Sequence, residues 1–262
     1  MSLLTRVKQK QIAQQIEAGK RLDGRGLTDY RELTVEEGLI ERAEGSARVH
    51  LGKTEVLVGV KIENGEPFSD TPNDGVLTVN AELVPLAYPS FEPGPPDENS
   101  IELARIVDRG IRESKAIDTA KLCIEPGKKV FVVFVDIYVL NHDGNMIDAS
   151  ALAAVSALVN TKMPNYEIED GEVKEKTGYS PLPLKSHPIT VTIAKINDKL
   201  IVDPGIEEEQ VMDARISMAI NDEGNICAIQ KGGAGFFSPQ KILEASKLAQ
   251  AKSAELRKKL NW

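Results

Sequence analysis

Two cysteines and three histidines in 262 residues are too few for most cysteine- or metal-based architectures. Cys123 and Cys227 lie far apart, each flanked by apolar residues and without zinc or redox-motif spacing. Both read as buried free thiols of a reducing compartment, not as a disulfide. His50, His142 and His187 are equally scattered and read as ordinary surface or half-buried histidines, so neither a metal nor a cofactor is expected. Walker loops, dinucleotide fingerprints and nucleophile elbows are also missing. No run approaches the ~20 apolar residues of a membrane helix. The opening MSLLTRVKQKQIAQQIEAGKR has polar residues every few positions where a signal sequence has an apolar core. A cytoplasmic protein is expected. Positive charge is not in excess either, with a net charge of −8 and a pI of about 5.1. Indiscriminate nucleic-acid binding leaves a basic footprint, so any RNA role here must rest on a few placed arginines.

What is present is an ordinary globular composition, 41% hydrophobic and 27% charged, with enough chain for one large core or two small ones. Residues 1–20 read as an N-terminal helix or arm, and RLDGR at 21–25 as a turn broken at Asp23-Gly24. Strand patterns follow at 46–52, 55–63 and 75–86, then a proline-rich stretch, 89–96, that can be neither helix nor central strand. A helix is predicted over 99–117, capped by Asn99 or Ser100. KKVFVVFVDIYVLN at 128–141 is so continuously apolar that burial on both faces is expected. A second helix of small residues spans 146–161. Residues 164–188 read as a long surface connection or a weak β-excursion. Strands near 189–195, 199–203, 211–220 and 225–231 and a helix over 238–258 complete a second half that resembles the first in layout. One part at 21–163 and another at 189–262 thus frame an α+β or mixed α/β fold, with mixed sheets packed on helices.

Three constellations bear on chemistry. On the helix after the prolines, Arg105, Arg109 and Arg112 recur at i, i+4 and i+7 and line one face. They are either a solvated face paired with Glu102 and Asp108, or a set of guanidinium forks for phosphate. Second, the turn before the next helix, His142-Asp143-Gly144-Asn145, has one glycine, and Asp148 in the first helical turn repels an anion. Third, Asp203, Glu207, Glu208, Glu209 and Asp213 crowd into a short segment. They read either as a plain charged loop or as carboxylates for Mg²⁺ or general acid work.

Taken in order, RLDGR, EGSARVHLGKTEVLVGVKIE, IELARIVDRGIRESKAID, DIYVLNHDGN and VDPGIEEEQVMDARISMAI resemble the ribonuclease PH family from Arg21 to the C-terminal helix. The proline-rich lead-in FEPGPPDENS is similar to the branch that forms the inactive ring subunit of the archaeal exosome. The resemblance implies an RNase PH-like fold (ribosomal protein S5 domain 2-like) of two pseudo-similar halves, assembled into a six-membered ring. Active members degrade RNA from the 3′ end with inorganic phosphate, held by a turn reading approximately Asp-Gly-Gly-Thr-Arg.

Here that turn becomes Asp143-Gly144-Asn145-Met146-Ile147, and a second family arginine falls at Asn99. The resemblance therefore implies a degenerate phosphate site at Asn99, Asn145, Met146 and Ile147, with Asp203 and Glu209 left as vestigial acids. It also implies that Arg105, Arg109 and Arg112 contact RNA. The implied role is a non-catalytic, RNA-contacting ring subunit, working with a catalytic paralogue and RNA-binding cap subunits on single-stranded RNA. The rival reading is an active phosphate- or Mg-dependent 3′-to-5′ exoribonuclease.

Overall fold

The computed structural model describes residues 3–169 and 172–260. Helix α1 (Leu3–Glu17) buries Ile12 and Ile16 against Ala194, Ile196 and Ile201. A first sheet then forms from β1 (Leu33–Glu37), β2 (Gly45–Leu51), β3 (Thr54–Gly65), β4 (Val76–Leu83), β5 (Cys123–Glu125) and β6 (Lys129–Asn141). The order is β1-β2-β3-β6-β4, with β5 on β6 and only the β4–β6 pairing parallel. Alternation is strict on β3, where Thr54, Val56, Val58, Val60 and Ile62 all point into the core.

The same alternation corrects the reading of β6. Val133, Val135 and Val139 are fully buried, yet the interleaved face carries Asp136 and the 39%-exposed Tyr138. A single layer of helices covers one side of the sheet, and among the described residues no helix packs on the other side.

That helical layer is α2 (Glu98–Glu113) and α3 (Met146–Val159). The N-cap of α2 is Asp97, not Asn99 or Ser100, because its carboxylate accepts from the Ser100 amide at 2.8 Å. The helix is shorter than its apolar pattern suggests, since Lys115 adopts the left-handed conformation (φ 52°). Helix α3 is buried all round because it lies between two sheets, and Ala149, Ala153, Ala154 and Ala157 let both approach closely. Each fully buried Val, Leu or Ile contributes roughly 1.5–3 kcal/mol to this core.

Segment 164–188 takes the second of its two expected forms, a β-excursion: β7 (Lys162–Glu169) pairs with β8 (Glu172–Pro181) as a separate two-stranded hairpin. The second sheet contains β9 (Ile189–Ile196), β10 (Lys199–Val202), β11 (Ala214–Ile220) and β12 (Ile226–Gly232), antiparallel in the order β10-β9-β11-β12. The strand predicted from 211 begins only at Ala214, because the short helix α4 (Ile206–Glu209) and its exit turn precede it. Helix α5 (Pro239–Arg257) packs on β9 and β11 through Ala245, Ala249 and Leu256. On the opposite face, Ala219 and Thr190 leave room for α2, where a Cβ at Gly110 would sit 3.4 Å from Ala219. Cys123 and Cys227 are free but only half-buried, a correction to their reading as core thiols.

Candidate functional site

The site is assembled where α3 begins, the loop before α4 passes, and the segment after α1 crosses between them. Its hub is Asp203, fully buried and in the left-handed conformation (φ 50°). Arg31 donates to this carboxylate from its backbone amide (2.9 Å), Nε (2.9 Å) and Nη2 (2.7 Å). Arg25 Nη1 donates at 2.8 Å and Asn145 Nδ2 at 2.9 Å. Burial alone would raise the Asp203 pKa, but the Arg31 bonds and charge, with Asn145, hold it below the usual carboxylate range. Beside it, buried Arg21 donates to both oxygens of Glu208 at 2.8 and 2.5 Å and to the Val202 and Asp203 carbonyls. Asp203 is therefore an ion-pair hub inside the protein, not an acid facing a ligand.

The α3 N-terminus is occupied by the protein itself. Asn145, buried and left-handed (φ 51°), caps the helix by accepting from the Asp148 amide at 3.4 Å. Its own amide, the donor an anion would need, donates to Glu209 Oε1 at 2.8 Å. Gly144 (φ 91°) presses on the Pro204-Gly205-Ile206 backbone, where a Cβ would meet atoms at 2.5 Å. Asp148 lies underneath, fully enclosed, and accepts from Tyr30 Oη, Thr192 N and Asn145 Nδ2 at 2.8–3.0 Å. Burial pushes Asp148 up to about 6 against those bonds. The local field is thus carboxylate-rich, and two amides of this helix start, those of Asn145 and Asp148, are already engaged within the protein.

Outside this closed turn is a pocket of about 260 Å³. One wall is a cluster of three rings: Phe91 stacks on His142 (5.7 Å, 17°) and Tyr88 meets His142 edge-on (5.2 Å). Met146 and Ile147 line it from the start of α3, and Asn99 and Glu102 from α2. His142, read from sequence as an ordinary histidine, is in fact packed into this wall. Burial and the nearby Arg31 charge lower it to about 4, so it is neutral at pH 7. Burial likewise pushes Glu209 up to about 7, although its side chain keeps 22% exposure at the pocket. Three of the four residues expected to form a degenerate phosphate site, Asn99, Met146 and Ile147, thus share one cavity, while Asn145 lies beneath it.

The arginine row on α2 is exposed throughout. Arg112 is bidentate to Asp108 (2.7 and 3.2 Å) and also reaches the Leu77 carbonyl. The other sequence-predicted pair does not form, because Arg215 on β11 takes Glu102 at 2.6 Å. Arg105 has no carboxylate partner among the described residues, and Arg109 touches only Gln230 Oε1 at 3.3 Å.

Two models of the 3′ exoribonuclease (RNase PH) family match the chain, domain 1 over residues 29–164 and domain 2 over 186–252. The chain belongs to the RNase PH family. It is 52% identical to the exosome complex component Rrp42 of Thermococcus kodakarensis, over 99% of this chain and 96% of that one. A solved structure of the Archaeoglobus fulgidus exosome with RNA bound to the active site contains a chain 46% identical to it. The TM-score is 0.91, covering 98% of this chain and 99% of that one. A second structure, an archaeal exosome core, matches at 43% identity and TM-score 0.87, over 98% and 97% of the two chains. The α+β, RNase PH-like architecture follows from both the family models and the coordinates.

Within that family fold, the residues that sequence reasoning missed are those brought in from far along the chain. Arg25, in the quoted RLDGR turn, and Arg31 reach Asp203 across about 170 positions, and Arg215 reaches Glu102 across more than a hundred. Arginines in a turn ahead of the first strand were the only available signal. Nothing in the spacing said which carboxylate they meet.

Proposed function

We propose that the chain is the non-catalytic, RNA-contacting subunit of an archaeal-type exosome ring, acting in the cytoplasm. On this reading it alternates with a catalytic RNase PH-like paralogue and carries RNA-binding cap subunits. The division into arm, two lobes and connecting segment belongs to the same reading. One observation carries it: the Asn145 amide is given to Glu209, and Met146 and Ile147 stand where the resemblance puts hydroxyl and arginine. Phosphorolysis depends on holding phosphate in line with the scissile bond. A turn whose Asn145 amide already bonds an internal carboxylate, and which lacks the hydroxyl and the arginine, is poorly equipped to hold it.

The RNA-contacting part rests on Arg105 and Arg109, which are exposed and free of carboxylate partners, and to a lesser degree on Arg112, which Asp108 already neutralises. The test is a 3′-labelled RNA degradation assay on purified chain, with and without phosphate and Mg²⁺, before and after adding the catalytic paralogue. Degradation is expected only after addition. Nucleoside diphosphates released by a preparation free of the paralogue would restore the reading as an active enzyme.

A further inference from the structure

The closed phosphate turn leaves an open cavity beside it whose lining suits a different chemistry. At about 260 Å³ it is smaller than the roughly 300–1,000 Å³ of sites for drug-sized ligands, so its occupant is a single ring system. An anion is disfavoured, because Glu209 and Glu102 both line the space and Glu102 already neutralises Arg215. The remaining surfaces are an aromatic wall, in which Phe91 and His142 lie nearly parallel and Tyr88 is tilted to both, and the apolar side chains of Met146 and Ile147. Ser90, Glu209 and Asn99 add further polar groups to the lining. Glu209 Oε2 is 3.8 Å from His142 Nε2, while Oε1 alone takes the Asn145 amide. The Asn99 amide sits at the rim, its Nδ2 donating to Asp97. An aromatic face with a few edge-reading polar groups is the chemistry that stacks a nucleobase.

The arginine row leads to this cavity. On α2, Glu102, Arg105 and Arg109 stand at i, i+3 and i+7, so the pocket-lining Glu102 and two guanidiniums with no carboxylate partner among the described residues share one face. Arg109 lies about 10 Å from Glu102 along the helix axis.

We propose that this pocket receives one unpaired base of single-stranded RNA, stacked against the Tyr88–Phe91–His142 wall, while Arg105 and Arg109 hold the phosphates leading to it. The inference rests on the RNA-contacting reading above and names a second contact type for it. Phosphate contacts carry no base information, whereas a seated base does.

The test uses the purified full chain with adenosine, a short oligoadenylate and inorganic phosphate as probes, followed by ligand-observed NMR. Adenosine binds, oligoadenylate displaces it, and inorganic phosphate does not. Phe91→Ala weakens adenosine by about 5- to 150-fold, the range that stacking one base on an aromatic ring supplies. Met146→Trp, which fills the cavity and leaves the wall in place, blocks adenosine without lowering the melting temperature. The proposal falls if adenosine fails to bind at its solubility limit or binds Met146→Trp as it binds wild type. It falls equally if phosphate displaces adenosine or oligoadenylate does not. Absence of adenosine binding in a chain that also degrades no RNA removes this inference alone. RNA degradation by the isolated chain removes the non-catalytic reading and leaves adenosine binding untouched.

Discussion

Replacing Asp203 by alanine separates a buried hub from a leftover catalytic acid. The substitution removes an acceptor for five hydrogen bonds and leaves the Arg25 and Arg31 guanidiniums without their buried counter-charge. Breaking a buried pair from one side costs roughly 3–5 kcal/mol, because the surviving charges stay out of water without compensation. At roughly 2–4 °C per kcal/mol for a chain of this size, the melting temperature falls by about 6–20 °C. Urea unfolding followed by circular dichroism at pH 7 reads the loss directly, with an unchanged denaturant slope.

The pH dependence is a second check on the same group. Asp203 is held below its ordinary value of 3.8 when folded, so its stabilisation is complete above that value. It disappears as pH falls through the folded value. The gap between wild type and Asp203→Ala should therefore narrow in acid. Rings that still assemble around the variant should degrade RNA within about tenfold of wild type, equivalent to ~1.4 kcal/mol. A stability loss below about 1 kcal/mol at pH 7, or a gap that does not narrow in acid, refutes the hub.

Glu209→Gln should act in the opposite direction, because glutamine still accepts the Asn145 amide but carries no charge. With the folded Glu209 pKa raised to about 7, the group's contribution to stability falls as pH rises from its ordinary value toward 7. The variant should be more stable than wild type at pH 8, by about 1–2 kcal/mol after discounting for partial exposure, and no more stable at pH 4. Urea curves at both pH values decide it. Gly144→Ala should be strongly destabilising, since its φ is 91° and the added Cβ would lie 2.5 Å from the Gly205 backbone. Failure to recover folded protein, or a melting loss well beyond that of an exposed Gly→Ala change, is the expected outcome. Arg109→Ala should weaken RNA binding uniformly across sequences and flatten the salt dependence by about one unit of slope. Rings of normal mass with wild-type affinity and slope would reduce the row to a solvated helix face.

Local pattern alone located most elements and the chemistry-bearing segments. Period-two alternation marked β3 and the apolar spacing of 103, 106, 107 and 111 marked α2, because each depends on residues close together in the chain, whereas the reading of 143–147 as a degenerate phosphate turn came from the family resemblance. Which face of an element meets what was not written there. The apolar run of β6 says nothing about whether one layer or two will cover it, and only the packed structure shows Asp136 and Tyr138 on the open side.

The fate of each charge was likewise decided by tertiary contact. Glu102 and Arg105 have ideal helical spacing, yet Arg215 from another sheet takes the carboxylate. Asp203 and Glu209, close in sequence and similar in type, diverge completely: one is pulled below its ordinary pKa by Arg31 and Asn145, the other pushed up to about 7 by burial. Backbone propensity and periodicity act over a few residues and can be read directly. Ion pairing and desolvation depend on distance in space, and folding alone sets that distance.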